Sequence, residues 1–160
     1  MAAQRGTYTC SFVEQTIAQS SGDYDLWEIT CADDKPVEIV AVFLGNKSEV
    51  GDAADEMLSI TIVRGNTSGG SGGSNSTEQP LDPSDGAASF SVVERNSTIA
   101  SSGTEARLVS DTFNVRGGLQ WIFPEMMRPK SIQGSLLVVR LHSAVADDLT
   151  LNGTIWIREL

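Results

Sequence analysis

Between Leu149 and Arg158 the aliphatic side chains fall at every second position: Leu149, Leu151, then, after Gly153, Ile155 and Ile157. A period of two is what a strand with one buried face requires, whereas a helix would scatter the same residues around its axis. Just upstream, Ser135 to Leu141 (SLLVVRL) is apolar at consecutive positions, which predicts a strand covered on both faces inside a two-layer β structure. Antiparallel pairing of these two strands through the short connection His142 to Asp148 is the simplest arrangement. Leu119 to Phe123 then adds a third strand, stopped by Pro124.

The rest of the chain repeats the pattern. Tyr8–Val13, Tyr24–Cys31, Ala87–Arg95 and Glu105–Val115 read as strands with turn residues between them. Val37 to Leu44 (VEIVAVFL) is apolar at nearly every position and predicts a central strand. In Met57 to Arg64 the side chains of Leu58, Ile60 and Ile62 share one face, which predicts core on that side. Glu49 to Glu56 is an acidic loop or a single helical turn. Eight or nine strands without a convincing amphipathic helix specify an all-β, single-domain antiparallel β-sandwich or jelly roll spanning residues 1–160. A chain of 160 residues is long enough to bury roughly 70% of its unfolded surface around one core.

Three segments stand outside this pattern. Met1 to Thr7 is a polar arm with nothing of its own to pack on. Gly65 to Gly86 (GNTSGGSGGSNSTEQPLDPSDG) has almost no large apolar residue and cannot offset its ordering entropy, which predicts a flexible excursion. Such a loop is tolerated because closure entropy grows only logarithmically with length, and it serves either as an adaptable contact or as a slack connection. Pro124 to Pro129 (PEMMRP) is a proline-bounded loop carrying two methionines.

Charge and cysteine count narrow the partners. The formal charge is -10, and the 11 basic residues are scattered, which argues against nucleic acid. No apolar run approaches the roughly 20 residues that cross a bilayer, and the first ten residues lack the apolar core of a secretory signal, so no membrane partner and synthesis in a cytoplasm are expected. Two cysteines make no disulfide framework. A hairpin of Tyr8–Val13 with Tyr24–Cys31 would set Cys10 opposite Cys31, where they either stay as buried thiols or oxidise outside a cell.

No catalytic signature is present. His142 is the only histidine and has no companion ligand or nucleophile recognisable by spacing. The pairs Asp33/Asp34, Asp52/Asp55, Asp82/Asp85 and Asp147/Asp148 lack the spacing of a calcium loop and read as solvated turns. Ser68 to Ser74 lacks the ending of a phosphate cradle. Asn66, Asn75, Asn96 and Asn152 each open an Asn-x-Ser/Thr triplet, which carries no weight without a secretory signal. Trp27, Trp121 and Trp156, with Tyr8 and Tyr24, would line a sugar-binding face if exposed, but each lies in a predicted strand, where core or interface is expected. No metal or cofactor is implied.

Taken together, GDAADEMLSITIVRG (Gly51 to Gly65), the Gly/Ser loop from Thr67, DTFNVRGGLQWIF (Asp111 to Phe123) and DDLTLNGTIWIREL (Asp147 to Leu160) resemble small head proteins of tailed bacteriophages. The resemblance implies a sandwich or jelly roll that binds the outer surface of an assembled capsid as a non-enzymatic decoration or cement subunit. Its partners would be the phage major capsid protein and itself, as a homotrimer or homodimer, and its place the virion, assembled in the host bacterial cytoplasm. A cement subunit needs a stiff body and adaptable edges, with many modest contacts multiplied by symmetry. Contact candidates are therefore Arg5, Thr7 and Tyr8 in the arm, Asn66, Ser68, Ser74 and Asn75 in the long loop, and Met126, Met127 and Arg128 in the proline-bounded loop. The alternatives are a lectin-like jelly roll on the virion or tail, using Trp121 or Trp156, and a hydrolase built on loop carboxylates.

Overall fold

A computed structural model describes residues 6–18, 22–47, 56–142 and 145–160. The described chain is nearly all β, with two antiparallel sheets packed face to face as a sandwich. The strands are β1 (Thr7–Ile17), β2 (Tyr24–Thr30), β3 (Val37–Asn46), β4 (Met57–Ser68), β5 (Ser74–Asn75), β6 (Gln79–Pro80), β7 (Ser91–Asn96), β8 (Ser101–Asn114), β9 (Leu119–Ile122), β10 (Lys130–Ser131), β11 (Leu136–His142) and β12 (Leu149–Glu159). One turn of 3-10 helix, Glu125–Met127, interrupts them between the prolines.

The first sheet runs β10-β3-β12-β1-β6, with β9 also on β3; the second runs β5-β7-β2-β11-β4-β8. The alternation along β12 does what its sequence demands. Leu149, Leu151, Ile155 and Ile157 are buried, while Thr150, Asn152, Thr154, Trp156 and Arg158 face outward. The inner faces meet where Phe12 of β1 lies against Trp27 of β2, ring centres 5.1 Å apart. Tyr8 packs edge-on against Phe90 at 5.4 Å.

Two expected pairings are not formed. β11 does not pair with β12; it lies between β2 and β4 in the second sheet, while β12 lies between β1 and β3 in the first. Likewise β1 and β2 are in different sheets, so Cys10 stands opposite Ile155 and not Cys31. Both cysteines are buried free thiols, and burial pushes the Cys10 thiol up to about 12. From β1 to β4, and again from β10 to β12, successive strands cross from one sheet to the other, because each has an apolar face to bury, and the opposite sheet buries it as well as a hairpin partner would.

The segment 65–86 is not a free excursion. Its first residues extend β4, and Asn66 is buried. Beyond them the Gly70 amide donates to both carboxylate oxygens of Glu28 at 3.0 and 2.9 Å, and the Gly73 amide donates to Asn96 Oδ1 at 2.9 Å. Ser76 N–H then bonds the Val92 carbonyl, and Leu81 N–H the Thr7 carbonyl, so β5 and β6 extend one edge of each sheet. The glycines are there for close approach: a Cβ on Gly70 would stand 1.9 Å from the Thr98 carbonyl oxygen, and one on Gly73 2.1 Å from that of Glu94. Composition registers the missing side chains as freedom, but here they let backbone lie on backbone.

Gly70→Ala is therefore expected to destabilise the fold by about 1–3 kcal/mol through overpacking, measured by urea unfolding. Gly86→Ala, with nothing within 4 Å of the added carbon, should stay within about 0.5 kcal/mol of the parent.

Candidate functional site

Large apolar side chains are mostly inside, and of the seven exposed among the described residues four gather, while Val13, Met57 and Leu81 stand apart. Ile122, Met126, Met127 and Ile132 are 69, 98, 70 and 64% exposed. All four lie in one eleven-residue stretch from the end of β9 to just past β10. Exposed apolar groups scattered singly mean little, but a contiguous group marks a contact surface.

This stretch is held rigidly to the first sheet. Phe123 N–H bonds the Val40 carbonyl, and Ile39 N–H bonds the Pro129 carbonyl. Glu38, only 1% exposed, receives Arg128 at 2.7 Å, Lys130 at 3.2 Å and Arg158 at 3.5 Å. Burial alone would raise the Glu38 carboxyl, but Arg128 and Lys130 outweigh it and hold it below its ordinary value. The arginine and lysine on either side of Pro129 are thus turned inward onto one carboxylate, leaving Met126 and Met127 facing solvent.

Across from this stretch stands β8. It pairs only with β4 among the described strands, and Ser101 to Arg107 is exposed throughout. Two adjoining hollows separate β8 from the methionine turn. One, of about 340 Å³, is lined by Arg64, Thr104, Ala106, Ser131, Ile132 and Ser135 among others. The second, of about 470 Å³, is lined by Leu108, Val109, Met126, Met127 and Pro129, and shares Arg64 and Lys130 with the first. Their floor is pinned by Arg64 Nη1 donating to the Lys130 carbonyl at 3.0 Å, Gly65 N–H to Ser135 Oγ at 3.0 Å, and Ser131 Oγ to the Ser135 carbonyl at 2.9 Å. The result is one groove running along an open strand edge.

The contact candidates divide sharply. Met126 and Met127 belong to the rim, with Arg128 behind them. Ser74 and Asn75 are exposed in β5, at the far edge of the second sheet from β8, whereas Ser68, also exposed, ends β4 opposite Ser101 of β8. Tyr8 does not serve as a contact, being 1% exposed with its hydroxyl donating to the Gly86 carbonyl at 3.1 Å. Asn66 is likewise withdrawn, at 5% exposure. Thr7 begins β1 and is half-buried, and Arg5 lies outside the described residues. Trp121 cannot line a sugar face, because it is buried with Nε1 donating to Asp111 at 3.2 Å; Trp156, against Phe43 at 5.2 Å, remains half-exposed on the outer side of the first sheet.

The rim's other members carried a weaker signal. Ile122 breaks the alternation of Leu119-Gln120-Trp121-Ile122 by placing an apolar group in the polar phase, and Ile132 stands alone between Ser131 and Gln133. The open edge of β8 depends on strand order and has no local signature.

His142 does have companions that spacing did not reveal. Its Nε2 is 2.7 Å from Thr61 Oγ1 and its Nδ1 3.1 Å from Asp23 Oδ2, the sequence of groups used in acyl transfer. Thr61, however, is 2% exposed in the middle of β4, so no substrate carbonyl reaches its oxygen; the chain braces a strand end. Among the described residues no three His, Cys, Asp or Glu side chains group to hold a metal. Comparison with protein-family models, with curated proteins and with solved structures finds no match.

The outer face of the second sheet carries a buried polar layer. Arg140 donates to Asp25 at 2.6 and 3.1 Å, to Glu105 at 2.6 Å and to the Ala100 carbonyl at 3.2 Å. Beside it, burial pushes the Glu28 carboxyl up, as it does Glu94 nearer the β5 edge. At Glu159 burial is outweighed by the Ser89 amide and Lys35, which hold it low.

These shifts set opposite pH dependences. Glu28 and Glu94 take up protons in the folded state before the unfolded chain does, so stability rises as pH falls from neutral toward the ordinary glutamate value of 4.5. Glu38 and Glu159 do the reverse: their contribution is present above that value and is lost as pH falls through their lower folded pKa. Thermal melts across pH should therefore peak on the acid side of neutral, with Glu28→Gln flattening the limb above the peak and Glu38→Gln the limb below it.

Proposed function

We propose that the chain is a non-enzymatic structural virion protein, a cement or decoration subunit that binds the outer surface of a bacteriophage capsid and bridges neighbouring capsomers. The observation that carries the reading is the rim: a hydrogen-bonded sandwich that gathers four of its exposed apolar side chains, Ile122, Met126, Met127 and Ile132, on and beside one turn. Burying each methionine on a partner is worth about 1.5–3 kcal/mol, a modest contact that becomes firm only when a lattice repeats it. The strand order supports the finer description as a jelly roll. β1-β12-β3-β9 faces β2-β11-β4-β8, an interleaving of two Greek keys, with β5, β6 and β7 inserted between β4 and β8. The sequence resemblance to phage head proteins supplies the partner, the major capsid protein, and the location on the assembled virion; a homotrimer or homodimer would multiply the rim.

A lectin-like role retains one specific observation, the half-exposed Trp156 and Phe43 pair, and saturable glycan binding abolished by Trp156→Ala would favour it over the cement reading.

Purified shells lacking the protein should disrupt at a lower temperature than shells to which it has been added back. The double variant Met126→Glu/Met127→Glu should fold normally and fail to co-sediment with them. Equal heat resistance of bare and complete shells would show the reading to be wrong.

A further inference from the structure

The groove and the open edge beside it have a chemistry of their own. β8 ends its sheet, so the outward-facing N–H and C=O groups of Thr104–Arg107 have no strand beyond them among the described residues. Thr104 and Ala106 line the groove, whereas Glu105 and Arg107 lie on the opposite face, where Glu105 is already engaged by Arg140. A bulge separates Arg107 from Val109, a second register shift falls at Thr104 and Glu105, between Ala106 and Gly103, and Ser102 and Gly103 have φ of 60° and 72°. The regular ladder is therefore short and centred on Ala106 and Arg107, with Thr104 beyond a bulge. Arg64 and Arg107 have no carboxylate partner among the described residues, in a chain of net charge -10. Most of its other cations, Lys35, Lys47, Arg128, Lys130, Arg140 and Arg158, are ion-paired. Two unmatched guanidinium groups thus flank an unpaired strand and a groove that is mainly apolar beside Ala106 and Ile132 and more polar toward Arg128.

We infer that the edge of β8 takes up an extended segment of a partner chain whose side chains alternate between apolar and acidic. This rests on the docking role proposed above and specifies how the docking is made. The backbone of the segment completes the ladder along Thr104–Arg107. Every second side chain enters the groove between Ala106 and the Met127–Ile132 wall, and the intervening ones emerge beside Arg107. Apolar residues suit the first set and carboxylates the second, since an opposite charge across a ladder stabilises and a like charge repels. Arg64, shared by both hollows, adds the attraction that steers an acidic chain toward the groove.

The probe is a labelled, end-capped ten-residue peptide of alternating valine and glutamate, titrated by fluorescence anisotropy against the full chain. Controls are alternating valine and lysine, and a block peptide of five valines followed by five glutamates. The alternating acidic peptide is expected to bind saturably and at least tenfold more tightly than either control. Arg107→Glu, an exposed substitution whose fold is checked by its melting curve, should weaken it at least tenfold. Hydrogen exchange should show protection gained at Thr104–Arg107. Binding that is absent, equal for the block peptide, indifferent to Arg107→Glu, or accompanied by protection elsewhere would overturn the inference. So would sedimentation showing a second copy already paired along β8. If the peptide fails while shells are still protected against heat, the strand-addition mode falls and the cement role survives; if the peptide binds and shells gain nothing, the reverse holds.

Discussion

The contact on which both sheets depend is the one that Gly153 makes possible. A Cβ at this position of β12 would lie 2.4 Å from Phe12 Cζ and 2.8 Å from Trp27 Cη2. With no side chain there, the Phe12 ring from one sheet and the Trp27 indole from the other close over a central strand. Interiors are packed densely enough that one methyl group in this place would have to move an aromatic ring. The sandwich is set here by an absence, and the aliphatic rows of β3, β4, β11 and β12 fill in around it.

Much of this was legible locally. Among the described residues, each of the nine strands that alternation and turn residues placed is present within a few residues of its expected position, because a strand's period is a property of its own sequence. Pairing is not. Nothing in Ser135–Leu141 distinguishes β12 from β2 and β4 as neighbours, since all offer aliphatic side chains at similar spacing, and the shortest connection favours a hairpin that the fold does not make. The Gly/Ser segment shows the same limit from another side. Gly70 and Gly73 are small because of Thr98 and Glu94, residues more than twenty positions away, so a reading of composition sees only the lost side chains. Of the site, the PEMMRP methionines were visible as apolar groups with no periodic place, while the wall opposite them came from strand order alone.

The two faces of the second sheet do different work. Its inner face is aliphatic and closes the core. Its outer face, which would ordinarily be wet, is covered by the 69–75 segment and by residues near Ala100, and this cover buries Asp25, Glu28, Asn96 and Arg140. Burying charges stabilises little in itself, because desolvation cancels most of the attraction, but removing either member of such a pair strands the other. The network therefore fixes where the cover lies more than it adds to overall stability. Glu105 ties β8 into it through Arg140, so the edge strand that bounds the groove is anchored from its outer face while its own outward backbone stays open.

An open strand edge beside apolar side chains is a hazard for any protein present at high concentration, since copies can pair along it indefinitely. This chain limits the hazard in two ways. The bulge beyond Arg107 and the positive φ at Ser102 and Gly103 leave only a short regular ladder, too short to hold two flat edges together by backbone bonds alone. The overall negative charge makes copies repel one another at a distance, yet the groove carries the unmatched Arg64, with Arg107 on the other face of the strand beside it. A neighbour is therefore discouraged as a body while an acidic segment is admitted as a strand. The same features that keep the edge from aggregating define what is allowed to bind it, and a weak, selective contact of this kind gains strength only where many copies of the partner are already fixed in an array.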